Sequence, residues 1–165
     1  MMLDNKNNVI NWPKELQLSL YTGCNLQCYL CIAGNSVSSN PQSLNISEKV
    51  LKEVNKVIPH LRDLVVAGSG EPLLVKNLAD QLKDLHALNQ NMVLRVITNG
   101  LLFNKGLEFA YKILNNIDML VVSVNGKKHY EEIMFPTKWS KIAEALKNIS
   151  LVISSDNLPV GLPPP

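Results

Sequence analysis

The chain has three cysteines among its 165 residues, and all of them fall in one stretch, Cys24-Asn-Leu-Gln-Cys28-Tyr-Leu-Cys31. Three thiolates on one short loop can hold three irons of a four-iron cluster, which leaves the fourth iron without a protein ligand. Iron–sulfur cubanes are usually held by four cysteines, so a set of three implies an open iron for something else to fill. A metal position left free for a small molecule marks a reactive site rather than a structural one. Cys24, Cys28 and Cys31 are therefore the candidate metal ligands. Zinc is the competing metal; structural zinc takes four ligands, and the nearest histidine along the chain, His60, lies far from the triplet. His60, His86 and His129 are expected as surface residues on helices or turns.

The elements that must position this loop are visible as a rhythm. Short apolar runs recur at Leu16 to Leu20, Leu64 to Ala67, Val93 to Ile97, Met119 to Val124 and Leu151 to Ile153. Each is too short for a helix and rich in Val, Ile or Leu, as expected of strands buried on both faces. Amphipathic patterns lie between them. Asn45 with Glu48 makes a capping box ahead of the stripe Val50, Leu51, Val54, Val57 and Ile58, which Pro59 ends. Leu78, Leu82 and Leu85 repeat at helical spacing, as do Leu107, Ala110, Tyr111 and Leu114, and a last helix from Thr137 carries Ile142, Leu146 and Ile149. Strand–helix alternation of this kind predicts right-handed βαβ units and a parallel sheet, hence an α/β fold. The Ser- and Asn-rich stretch Ile32 to Leu44 reads as a surface loop beside the cysteines.

Polar turns follow the strands in register. Cys24 to Cys31 follows the first, Gly68-Ser69-Gly70-Glu71-Pro72 the second, Thr98-Asn99-Gly100 the third and Ser123-Val-Asn125-Gly126 the fourth. A parallel sheet carries all these strand ends to one edge, where βα loops build ligand sites. Taken singly, the glycine-rich segments read equally well as tight connections, Thr98 to Gly100 as a plain turn, and Ser123 and Asn125 as caps of a helix beginning near Lys127. Their convergence with the cysteines is what carries the functional reading.

Composition narrows the class. Hydrophobic residues make up 46% and charged residues 18%, the profile of a folded chain with a buried sheet. A net charge of +2 is too small and scattered to argue for nucleic acid or an anionic membrane. No apolar run approaches a membrane span, the Asn- and Lys-rich start has no apolar signal region, and clustered, odd-numbered cysteines do not suit a disulfide scaffold. The expected location is cytoplasmic, with no nucleic acid or membrane partner.

Cys24-x3-Cys28-x2-Cys31 resembles the cluster signature of the radical S-adenosylmethionine (radical SAM) superfamily. Gly70-Glu71-Pro72 is similar to that family's glycine–glutamate–proline segment, and the turns at Thr98 and Ser123 are similar to its segments after the third and fourth strands. The resemblance runs from about Leu16 to Asn148. It implies a parallel-sheet partial (β/α) barrel of the TIM-barrel type, here with about four to five βα units. It also implies a 4Fe–4S cluster on the three cysteines, with the amine and carboxylate of S-adenosylmethionine on the open iron. Reductive cleavage of that cofactor would give a 5′-deoxyadenosyl radical that abstracts hydrogen from a peptide or small-molecule substrate, with a protein such as flavodoxin or ferredoxin as reductant. By position, Ser69, Gly70 and Glu71 would meet the methionine amine, with Gly70 allowing close approach. Ser123 and Asn125 would meet ribose hydroxyls or the carboxylate, Asn99 would face the same cavity, and Leu30 would lie against the adenine. No residue of the chain is assigned as a catalytic group.

The chain departs from the family in three respects. Leu30 stands where relatives often carry an aromatic residue. The segment His129-Tyr-Glu-Glu-Ile-Met134 lacks the arginine that many relatives place after the fourth strand. Residues 1–15 read as a lead-in, 16–155 as an incomplete barrel core and 156–165 as a Pro-rich tail, whereas a full eight-unit barrel needs about 250 residues. The expectation is thus a C-terminally truncated core. A non-catalytic cluster- and cofactor-binding fragment that a partner chain or dimer completes is the second reading.

Overall fold

Four short runs of leucine and β-branched residues lie side by side in parallel, and their sequential order decides the architecture. In the computed structural model, residues 2–3, 9–10, 12–31 and 44–155 are described; the loop expected at Ile32 to Leu44 and the Pro-rich tail fall almost wholly outside them. A short antiparallel pair, β1 (Met2–Leu3) and β2 (Val9–Ile10), precedes the main sheet. The sheet consists of β3 (Glu15–Leu18), β4 (Asp63–Val66), β5 (Val93–Thr98) and β6 (Met119–Val122), in the order β3-β4-β5-β6. Strands that add in one direction without reversing follow the path of a barrel wall rather than of a doubly wound sheet.

The helices are α1 (Glu48–Val57), α2 (Leu78–Ala87), α3 (Leu107–Leu114), α4 (Tyr130–Ile133) and α5 (Trp139–Ser154). Ser47 caps α1, its Oγ accepting from the Val50 N–H at 3.3 Å. The expected cap, Asn45, instead bridges Tyr21. On α3 the buried side chains are Ala110, Ile113 and Leu114, whereas Leu107 and Tyr111 are exposed, so the inward stripe is turned from the one expected.

The run Leu151 to Ile153 is not a fifth strand. It forms the last turn of α5, with Val152 inward and Leu151 and Ile153 exposed. Ile142, Ala145, Ile149 and Val152 continue one helical stripe, and no Gly or Pro interrupts it. A short apolar run does not by itself separate strand from helix. No described helix is long and apolar enough to cross a membrane.

Burial is deeper on one face of the sheet. Leu64 pairs with Leu94 and Val66 with Val96, and all four are fully buried in the cluster that contains Leu82, Ile113 and Ile142 from the helices. The opposite face carries Gln17, Val65, Arg95 and Met119 in register, an Asp63–Arg95 ion pair at 3.3 Å, and Val121 at 38% exposure. The expectation of strands buried on both faces holds for β4, where Leu64, Val65 and Val66 are all buried, and fails for β5 and β6 because the helical layer covers one side only; the other is the concave interior, which a closed barrel fills with side chains from further strands. Leu94→Ala is accordingly expected to cost about 2–5 kcal/mol in urea unfolding and Val121→Ala under about 1 kcal/mol. Equal losses would contradict this difference in burial.

Candidate functional site

The four βα loops meet around an open cavity of about 360 Å³ at the C-terminal ends of the strands. Cys24, Cys28, Leu30 and Cys31 form one wall, and Gly68, Gly70 and Glu71 another. Ala67 and Ile97, from the concave face, supply apolar lining; Asn99, Ser123, Asn125 and Met134 complete the rim. A larger groove, about 560 Å³, lies between α2 and α3 and holds none of these residues.

One buried carboxylate ties three of the loops together. Glu71 is 2% exposed. Its Oε1 accepts from the Leu73 N–H at 2.9 Å and from the Thr98 hydroxyl, and its Oε2 from the Asn99 N–H at 2.8 Å. The Asn99 side chain carries the link onward, donating to Asn25 Oδ1 at 2.8 Å and accepting from the Leu101 N–H at 3.0 Å. Asn25 is next to Cys24. The Glu71 backbone N–H donates to the Gly23 carbonyl at 2.8 Å, so the same residue also holds the start of the cysteine loop. Burial pushes the Glu71 carboxyl above its usual range, against the lowering effect of its three donors.

Gly70 explains how the loops come so close. A Cβ there would meet the Tyr21 carbonyl oxygen and sit 2.6 Å from that of Gly23. The space left by its missing side chain is thus filled by the backbone of the cysteine loop. Gly100, at φ +75°, turns β5 into the following 3₁₀ turn, Leu101–Lys105, in a conformation that favours glycine.

Cys24 and Cys28 are half-buried and Cys31 is exposed, all as free thiols. Burial raises the Cys28 thiol to about 11, helped by the neighbouring Cys24 and Cys31 sulfurs. Cys24 is raised chiefly by burial, with Glu71 and Cys31 adding to it. Among the described residues no Lys, Arg or His lines the cavity to offset this accumulation of negative charge. Such a set fits a bound cationic metal group, which would hold the thiols deprotonated. Among the described residues no three His, Cys, Asp or Glu side chains converge on one ion, as a tetrahedral zinc would require. Three thiolates that bind three different irons need not converge.

The expected site residues separate in this geometry. Leu30 lines the cavity although it is 69% exposed, and Tyr29 points away at 85%. Gly70, Glu71, Asn99, Ser123 and Asn125 also line it; Ser69 is exposed and outside the lining. Ser123 and Asn125 do not cap α4, whose N-cap is His129 with no side-chain bond. Three contributors escape sequence reasoning: Asn25, Tyr130 and Met134. Met134 is 2% exposed and its Sδ lies 3.6 Å from Cys28 Sγ. Tyr130 is fully buried, its hydroxyl without a partner among the described residues, and close enough to Cys28 that the thiolate's charge helps raise it. The apolar spacing of Tyr130 and Met134, four apart around one turn, is the only signal the sequence carries for them.

Glu71→Gln keeps the shape of the tie but sets an N–H against a donor. It is expected to cost about 1–3 kcal/mol in denaturant unfolding, while Glu108→Gln, in an exposed ion pair, should cost under about 0.5 kcal/mol. Equal effects would contradict the role of Glu71.

The family model of the Radical SAM superfamily matches residues 18–163. Among curated relatives, GTP 3′,8-cyclase from Desulforamulus reducens is 26% identical over 166 residues, covering 98% of this chain and 48% of that protein. The FeMo cofactor biosynthesis protein NifB of Azotobacter vinelandii is 28% identical over 135 residues, covering 73% of this chain and 26% of its own length. The chain thus spans about half or less of the length of these relatives. A crystal structure of BtrN in complex with AdoMet and 2-DOIA superposes with a TM-score of 0.53 at 16% identity, over 79% of this chain and 54% of that one, and so shares the fold. With the rim loops, the open parallel sheet and the family match in agreement, the chain belongs to the radical SAM superfamily.

Proposed function

We propose that the rim cavity binds a 4Fe–4S cluster and S-adenosylmethionine, and that this chain takes part in radical hydrogen abstraction from a peptide or small-molecule substrate. The observation that carries the reading is the meeting of the three cysteines with the Gly68–Glu71, Asn99 and Ser123–Asn125 loops around one cavity. The superfamily's use of this cluster and cofactor supports it. When bound and reduced, the cluster supplies the electron that splits the sulfonium into methionine and a 5′-deoxyadenosyl radical.

The protein's part is to hold and orient. Cys24, Cys28 and Cys31 would hold three irons of the cluster and leave the fourth open to the amino-acid end of the cofactor. Backbone carbonyls near Ser69 to Glu71 accept from the amine. Among the described residues no cationic side chain lines the cavity, and the carboxylate and ribose meet neutral donors, with the Ser123 hydroxyl and the Asn125 amide as the candidates. Leu30 offers an apolar face to the adenine. Asn99 is occupied by Asn25 and Leu101, which makes it a positioning residue for the cysteine loop. A flavodoxin or ferredoxin is the proposed reductant.

A second reading, in which the chain binds the cluster and cofactor without turnover until another chain covers the sheet, draws on the exposed concave face around Val121. Anaerobic reconstitution with iron and sulfide, followed by dithionite and S-adenosylmethionine, separates the two readings. The enzyme reading predicts 5′-deoxyadenosine from wild type and only background from Cys28→Ala. A stable cluster without product supports the second reading, and failure to assemble a cluster overturns both.

A further inference from the structure

Across the cavity mouth, the segment after β6 grips the cysteine loop at its middle ligand. The Gln27 N–H donates to the Phe135 carbonyl at 2.6 Å and the Tyr29 N–H to the Ile133 carbonyl at 2.9 Å. These bonds flank Cys28 on one segment and Met134 on the other, which fixes the two side chains opposite each other. Met134 Sδ lies 3.6 Å from Cys28 Sγ and accepts from Asn125 Nδ2 at 3.0 Å. The grip is anchored behind the rim as well. The buried Tyr130 ring meets Trp139 edge-on at 5.5 Å, and Glu131 Oε1 accepts from the Trp139 N–H at 3.1 Å.

We propose that Met134 is a positioning residue of the metal site: its uncharged side chain closes the Cys28 side of the cavity and keeps water off that sulfur and the iron it would hold. The chemistry suits the task. A thioether is soft, polarizable and uncharged, and accepts hydrogen bonds only weakly. It packs against a thiolate without donating to it and without adding charge. A side chain carrying N–H groups at this place would donate to the thiolate and withdraw electron density from it. The Asn125 amide aims the thioether, so one neutral contact joins a cavity-lining amide to a metal ligand. Because the potential of an iron–sulfur cluster depends on charge, hydrogen bonds to sulfur and solvent exposure, a neutral wall that covers one side of the half-buried Cys28 without adding a donor favours a low potential, which a strongly reducing centre needs.

This inference rests on the proposed cluster for its redox consequence but not for its geometry, so its test has two arms. In the metal-free protein, alkylation by iodoacetamide is followed by mass spectrometry at each cysteine, with Cys31 as the internal standard. Met134→Ala should speed modification of Cys28 relative to Cys31 several-fold, and Met134→Leu, of similar bulk, should leave the ratio unchanged. An unchanged ratio in Met134→Ala, or an equal increase in Met134→Leu, overturns the shielding role whether or not a cluster forms. If Met134→Ala does not fold by circular dichroism, Met134→Val is measured in its place and read in the same way. In the reconstituted protein, an EPR-monitored titration should give a higher midpoint potential for the shortened variant than for wild type, because water then stabilises the more negative reduced cluster. Met134→Leu should keep the wild-type value. Equal potentials in all three proteins overturn the effect on the metal site.

Discussion

Glu71 is the constraint on which the site depends. Burying a carboxylate is costly unless hydrogen bonds satisfy it, and here Leu73, Thr98 and Asn99 do so. The compensation binds the second and third βα loops into one unit, and the Asn99–Asn25 bond with the Glu71–Gly23 backbone bond extends it to the cysteine loop. A flexible loop carrying three thiols would lose much conformational freedom on binding a metal group; one held at its entry has lost part of it already. Gly70 permits the arrangement by leaving room for the carbonyls of Tyr21 and Gly23.

The electrostatics of the cavity point the same way. Burial raises two of the three thiols, and their mutual repulsion adds to it. A positive centre makes such a set comfortable as thiolates, and among the described residues the lining has no cationic side chain to serve. Met134 faces Cys28 as a neutral wall. In the proposed site the cofactor's carboxylate would be met by the iron and by neutral donors, a different balance of forces from an ion pair.

Much of this arrangement is legible in the chain because it is local. The cysteine spacing, the glycines after β4 and β5 and the apolar runs of the four strands all express short-range chemistry, and the parallel topology then sends their ends to one edge. What escapes is long-range or ambiguous. Glu71 reaches partners 27 and 28 residues away, and Cys28 touches a methionine 106 residues away, contacts that no periodicity encodes. Leu151 to Ile153 misleads because a three-residue apolar run fits a strand as well as a helix end, and the stripe begun at Ile142 decides for the helix. Gly70 shows the limit of reading a glycine: its need for space is plain, but whether protein or ligand fills that space is a matter of packing.

The most direct test concerns the open iron. The cluster-loaded protein is reduced, and its EPR spectrum is recorded without and with S-adenosylmethionine carrying ¹⁵N in the methionine amine. If the amino-acid end of the cofactor occupies the iron that no cysteine holds, the reduced-cluster signal changes on addition and pulsed ENDOR resolves a hyperfine coupling to the ¹⁵N nucleus. A spectrum that is identical with and without the cofactor, with no ¹⁵N coupling, would contradict an open iron filled in this way.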